Sequence, residues 1–131
     1  MVSLKPGVVL DRLAPAAYVI LDAIREASIR LGQELTVTCG NEAHPATDPH
    51  SIGEAIDVRS KPFGPDLKLK VLDTIMQVLA EWHGEAVVSL NDTQRATAQF
   101  FGQLENLGFP TEHFHIQRRK NTKYTIEDLL A

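Results

Sequence analysis

Two short segments of this 131-residue chain concentrate side chains of the types that bind metal ions. Residues 48–57 include His50 and Asp57, and residues 112–115 read Glu-His-Phe-His and end at His115. Imidazoles and carboxylates are ordinary zinc ligands. One histidine near one acid more often forms only a hydrogen bond, but two such segments in one small chain favour a shared ion.

The first segment predicts a loop followed by a strand. Residues 54–59 alternate between apolar and polar positions, so Asp57 and Arg59 should share one face of a strand while Ile56 points to the core. The loop before this strand contains a glycine, which allows the chain to fold back. We therefore expect His50 to lie beside Asp57.

The second segment predicts another strand with the same alternation. Phe114 should face the core, and His113 and His115 should share the opposite face. If this strand pairs near residues 54–59, His115 completes a His/Asp/His set. Three protein ligands and one open position are typical of a catalytic zinc site, and Glu112 is placed to reach a water there without binding the ion.

The pattern His50-x-x-Gly53-x-Ala55-x-Asp57, followed by Glu112-x-x-His115, resembles the D-alanyl-D-alanine metallopeptidase family. That family belongs to a larger group with lysostaphin-type endopeptidases and hedgehog domains. The resemblance implies one Zn²⁺ ion held by His50, Asp57 and His115. It also implies that Glu112 is the general base and that His113 is a non-ligand that positions water or stabilises the oxyanion.

Two positions depart from the family pattern. Asp48 stands where family members usually have a serine, and the loop after the first strand lacks the arginine that many members use to bind the substrate. Arg59, which shares a face with Asp57, or Arg95 is the expected substitute. Asp48 is a second candidate for substrate binding, through an amine of the substrate, although it could equally be a solvated loop residue.

The implied function is zinc-dependent hydrolysis of peptides of the peptidoglycan type. A carboxypeptidase for D-Ala-terminated peptides, an endolysin-like endopeptidase and a cytosolic dipeptidase all fit the pattern. A zinc-bearing binding module or phage structural module without turnover is the alternative from another class. Cobalt or manganese could occupy the same ligands.

The remaining sequence predicts a single α+β domain, residues 1–131, with a small, mainly antiparallel sheet flanked by helices. The resemblance implies the fold of hedgehog-like and D-Ala-D-Ala peptidases. Apolar residues at helical spacing predict three helices, over residues 13–31, 66–82 and 93–107. Alternating or β-branched runs predict four strands, over residues 35–39, 54–59, 86–90 and 113–118.

Composition limits the partners. A net charge of −4 argues against nucleic acid, and the single cysteine, Cys39, rules out an internal disulfide. The sequence contains no apolar run long enough to predict a membrane span or a signal peptide. We therefore expect a protein made in the cytosol that reaches the cell wall by phage lysis or in a virion. The oligomeric state stays open.

Overall fold

The computed structural model describes residues 2–8, 15–39, 55–83, 86–88 and 100–118. These residues form an α+β fold with two helices and one mixed sheet. The helices are α1 (Pro15–Leu31) and α2 (Pro65–His83). The strands are β1 (Val2–Leu4), β2 (Leu35–Cys39), β3 (Ala55–Arg59), β4 (Ala86–Val88), β5 (Phe100–Glu105) and β6 (His113–Arg118).

Both helices form where the sequence places apolar residues three or four positions apart. In α1, Ile20, Ile24 and Ala27 are fully buried, and the chain turns away at Gly32, whose φ of 62° is a left-handed value that glycine adopts without strain. In α2, Pro65 occupies the first helical position, where its missing N–H costs nothing. The predicted extents of these two helices therefore agree with the described structure to within two residues.

The strands lie in the order β1-β2-β3-β6-β5-β4. The three central pairings, β2 with β3, β3 with β6 and β6 with β5, are antiparallel. The two outer pairings, β1 with β2 and β5 with β4, are parallel. The prediction of a mainly antiparallel sheet is therefore correct only for the centre, and β1 was not predicted.

The predicted helix over residues 93–107 is wrong in its described part, because Phe100–Glu105 is strand β5. Phe100 and Leu104 are four residues apart, a spacing that suits one face of a helix and equally one face of a strand. Gly102 lies between them and faces α2. A Cβ on Gly102 would lie 2.7 Å from Met76 Sδ and 3.0 Å from Leu72 Cδ1, so the strand backbone approaches the helix closely.

One hydrophobic core joins the helices to one face of the sheet. Ile56 and Val58 of β3, and Phe114 and Ile116 of β6, are fully buried in it. The residues between them in sequence therefore point to the opposite face. In the described part of the chain, neither helix is long and apolar enough to cross a membrane.

Candidate metal centre

Two rows of side chains cross the face of the sheet that the helices leave open. Direct cross-strand partners in β3, β6 and β5 form each row. The first row is Asp57, His115 and Gln103, and the second is Arg59, His113 and Glu105. Directly opposite residues of an antiparallel pair have Cβ atoms about 5 Å apart, so imidazole and carboxylate groups in these rows can meet.

Asp57 and His115 form the buried pair of the cluster. His115 Nδ1 lies 2.8 Å from Asp57 Oδ1, and the two residues are 7% and 9% exposed, respectively. Asp57 lies in mid-strand on β3, and its neighbours Ile56 and Val58 are anchored in the core. The structure thus brings together the two predicted metal ligands that it describes.

His113 and Glu105 extend the cluster towards solvent. His113 Nε2 lies 3.0 Å from Glu105 Oε1 and 3.6 Å from Asp57 Oδ2. Glu105 Oε1 also lies 3.6 Å from His115 Nδ1. Gln103 Nε2 donates a hydrogen bond of 2.9 Å to the other oxygen of Glu105, which orients this carboxylate towards the two rings.

Each imidazole has its remaining nitrogen held by an acceptor. His113 Nδ1–H donates to the carbonyl oxygen of Thr111 at 2.7 Å. His115 Nε2–H donates to Gln117 Oε1 at 2.7 Å. Metal-binding histidines nearly always donate their second N–H in this way, because it fixes the ring and the tautomer. Nε2 of His113 and Nδ1 of His115 are thereby left to face the two carboxylates.

This donor set fits a divalent ion. One donor atom from each of Asp57, Glu105, His113 and His115 lies within 4.8 Å of the other three. Tetrahedral zinc with bonds of about 2.1 Å places its ligand atoms about 3.4 Å apart. Two donor pairs are 3.6 Å apart, whereas the hydrogen-bonded pairs Asp57–His115 and Glu105–His113 are closer, at 2.8 and 3.0 Å, and would have to separate. The group could therefore hold a metal ion after small side-chain shifts, and its mixed nitrogen and oxygen donors suit zinc without excluding other metals.

Charges within the cluster shift the pKa values of its two histidines and of Glu105. The hydrogen bond with Glu105 raises the pKa of His113 to about 9, and the same contact lowers the pKa of Glu105. Burial lowers the pKa of His115, but its hydrogen bond to Asp57 and the charge of that carboxylate outweigh burial, so the net pKa is raised. Without an ion, His113 is therefore protonated at neutral pH, and metal binding has to displace that proton.

Glu112 lies in a separate network. Its Oε2 accepts a hydrogen bond of 2.9 Å from the Gly108 N–H, and its Oε1 accepts one of 2.7 Å from Ser60 Oγ. Lys68 Nζ of α2 lies 2.6 Å from the same Oε1. These donors, Gly108 first, lower the pKa of Glu112 to about 2. The structure does not bring Glu112 into the four-residue cluster.

The other predicted site residues have different outcomes. Asp48, His50 and Arg95 lie outside the described residues. Arg59 is exposed at the end of β3, directly opposite His113. Glu105 and Gln117 were missed because residues 93–107 were predicted as a helix and because Gln117 has no motif of its own. Alternation along a strand over 100–105 could have indicated Glu105.

A cavity of about 640 Å³ opens beside the cluster. Asp57 and His113 line it on the side of the cluster, and Lys5, Arg59 and Lys61 line it elsewhere. A peptide could therefore reach the donor atoms from this side. Comparison of the chain with protein-family models, with curated proteins and with solved structures gave no match.

Proposed function

We propose that this protein is a metal-dependent peptidase, with zinc as the favoured ion, that hydrolyses peptides of the peptidoglycan type. The observation that carries the proposal is the pair of oriented imidazoles: each presents one nitrogen to Asp57 and Glu105 while an acceptor holds the other. The sequence pattern around His50 and Asp57 supports the choice of a peptidase, and a domain of the D-alanyl-D-alanine metallopeptidase kind is part of the proposal.

The described residues divide the work of such a site. Asp57 and His115 are buried and supply fixed donors, while His113 and Glu105 are partly exposed. Of these four residues, Asp57 and His113 line the cavity. His50 is the third ligand implied by the resemblance. A bound divalent ion supplies Lewis acidity, which lowers the pKa of a bound water to about 7 in favourable sites and polarises the carbonyl.

Two carboxylates compete for the role of proton acceptor. The resemblance assigns that role to Glu112, but a carboxylate with a pKa of about 2 that accepts hydrogen bonds from three donors is a weak base. Glu105 lies beside both rings, and its side chain is 36% exposed, so a water can reach it. We assign proton transfer to one of these two residues and distinguish them by substitution.

A metal-bearing binding module without turnover is the second candidate function. The observation in its favour is the engagement of Glu112 by Gly108, Ser60 and Lys68, which leaves the family's base occupied. In that case the cluster would stabilise a docking surface. The peptidase is the stronger candidate because a cavity adjoins the donor atoms.

Digestion of purified peptidoglycan tests the proposal. The protein is stripped with a chelator and reloaded with zinc, and released peptides are identified by mass spectrometry. We expect fragments only from the reloaded protein. Asp57→Asn should lose both zinc and activity, whereas the control Asp73→Asn, on an exposed position of α2, should retain both.

Glu105→Gln and Glu112→Gln then identify the proton acceptor. The substitution that leaves zinc bound but slows turnover by about 10² to 10⁴ marks the acceptor. One equivalent of bound zinc with no released peptide would favour the binding module. Release of the same fragments after treatment with the chelator and by the Asp57→Asn variant would refute a metal-dependent peptidase.

A further inference from the structure

The cavity beside the metal centre has a cationic wall. Lys5 follows β1, Arg59 ends β3, and Lys61 lies two residues further along the chain. The Lys5 N–H donates to the carbonyl oxygen of Val37 in β2 at 2.9 Å, and Val37 is the cross-strand partner of Val58 in β3, so only β2 separates Lys5 from the end of β3. Three positive side chains from two chain segments thus converge on one cavity of about 640 Å³.

These cations have no acidic partner among the described residues. The ion pairs of that part of the chain involve Arg30, Lys68 and the two clustered histidines instead. The acids that line the cavity are themselves engaged: Glu112 pairs with Lys68, and Asp57 contacts His115. Within the described part of the chain, no acid therefore competes with a ligand for the cationic wall, in a protein whose net charge is −4.

The number of cations indicates more than one anionic group on that ligand. One carboxylate has two oxygens, which a single arginine can satisfy through a bidentate pair. Arg59, Lys5 and Lys61 together exceed that requirement. A peptide with only its terminal carboxylate would leave cations unmatched, whereas an acidic peptide would use them.

We propose that this wall selects acidic peptides, binding a side-group carboxylate in addition to the terminal one, next to the bond that reaches the metal centre. The inference rests on the proposed peptidase function and specifies its substrate class. Among cell-wall peptides, those with a free D-glutamate carboxylate have this chemistry, whereas their amidated forms lack it.

The test uses two synthetic cell-wall-type peptides that both keep the terminal carboxylate. They differ only in the D-glutamate group, which is a carboxylate in one and a carboxamide in the other. Binding to the zinc-loaded full chain is measured by calorimetry, and cleavage is measured by chromatography. We expect the carboxylate peptide to bind about tenfold more tightly, the ratio that two exposed ionic contacts of about 0.7 kcal/mol each produce.

Substitutions of the cationic residues test whether they cause the preference for the carboxylate peptide. Lys61→Gln and Lys5→Gln should each reduce the tenfold preference to about threefold or less. Lys70→Gln, at an exposed position of α2 away from the cavity, should leave the preference intact. Circular dichroism checks that each variant is folded. Equal binding of the two peptides, or an equal loss in Lys70→Gln, overturns the inference.

The outcomes separate this inference from the proposed function. Cleavage of both peptides with equal KM refutes the acidic preference and leaves the peptidase standing. A preference that depends on Lys61, without cleavage of either peptide, supports the cationic wall and refutes the peptidase.

Discussion

Asp57 contacts both histidines of the candidate metal centre. It is buried in mid-strand, contacts His115 through one carboxylate oxygen and lies 3.6 Å from His113 through the other. A buried carboxylate without compensating partners would carry a large desolvation cost. The two rings supply that compensation, and a divalent ion would supply more. Asp57 is therefore the side chain on which the cluster most depends.

Glu112 is anchored in a different direction. Its side chain is 4% exposed and joins the turn after β5, through Gly108, to Ser60 and to Lys68 of α2. Because His113 follows directly, this anchor also holds the start of β6 in place. We infer a positioning contribution of Glu112, whether or not it also takes part in turnover.

Glu112→Gln tests that contribution through acid unfolding. The folded-state pKa of about 2 lies below the ordinary value of 4.5, so the carboxylate stabilises the fold above about pH 4.5 and loses this effect as the pH falls towards 2. At pH 7 we expect the variant to have a lower Tm than the wild-type protein. The difference in Tm between the two proteins should narrow as the pH falls from about 4.5 towards about 2, as followed by calorimetry.

The exposed Glu34→Gln is the matched control and should leave the Tm at pH 7 unchanged. An unchanged Tm combined with lost peptidase activity would instead assign Glu112 a purely chemical role.

At the scale of elements, a single β-hairpin supplies three of the four donors. Glu105 ends β5, and His113 and His115 lie on β6, which pairs with it. The turn between them contains Asn106 and Gly108 with φ of 56° and 82°, and the Phe109 N–H donates to the Asn106 carbonyl at 2.9 Å. The geometry of the hairpin therefore sets the spacing of the donors, and β3 adds Asp57.

Gly102 determines how closely α2 approaches this hairpin. Gly102→Val should destabilise the protein by about 1–3 kcal/mol, because the added atoms would collide with Met76. Met76→Ala alone should cost about 2–5 kcal/mol through the cavity that it leaves. The double variant should be destabilised by less than the sum of the two single variants, because the smaller side chain at position 76 leaves room for valine at position 102.

Urea unfolding of the four proteins measures these energies. Strictly additive values would show that Gly102 and Met76 do not touch as the structure indicates.

At the scale of the molecule, the helices form one layer and the sheet forms the other, and the hydrophobic core and the candidate site lie on opposite faces of the sheet. Both helices cover one face of the sheet, where Ile56, Phe114 and Phe100 are fully buried. The opposite face of β3, β6 and β5 carries the four residues that could hold a metal ion. Metal binding should therefore add to the stability of the whole domain without rearranging the core.

Zinc should raise the Tm of the full chain. At a free zinc concentration about 100-fold above Kd, binding to the folded state alone adds about 2.7 kcal/mol. For a domain of this size, that corresponds to about 10 °C. Scanning fluorimetry with and without chelator measures the shift. Asp57→Asn should abolish it, whereas a shift that survives in Asp57→Asn would locate the ion elsewhere.

The amino-acid sequence by itself determined much of the layout. Alternation over residues 54–59 and 113–118 correctly assigned Ile56 and Phe114 to the core face and Asp57 and His115 to the other, because the two-residue period of a strand is a local property. The same local logic predicted α1 and α2, although two of the apolar residues in these helices, Ile29 and Leu69, are 63% and 59% exposed.

Only the tertiary structure decided which strands are neighbours. The pairing of Asp57 with His115, and of His113 with Glu105, depends on the register of segments about 60 and 8 residues apart, which no local pattern specifies. Residues 100–105 form a strand through their pairing with β4 and β6, and α2 packs closely against them at Gly102. The contact of Glu112 with Lys68 likewise arises from packing, because it requires α2 to lie beside the end of the hairpin.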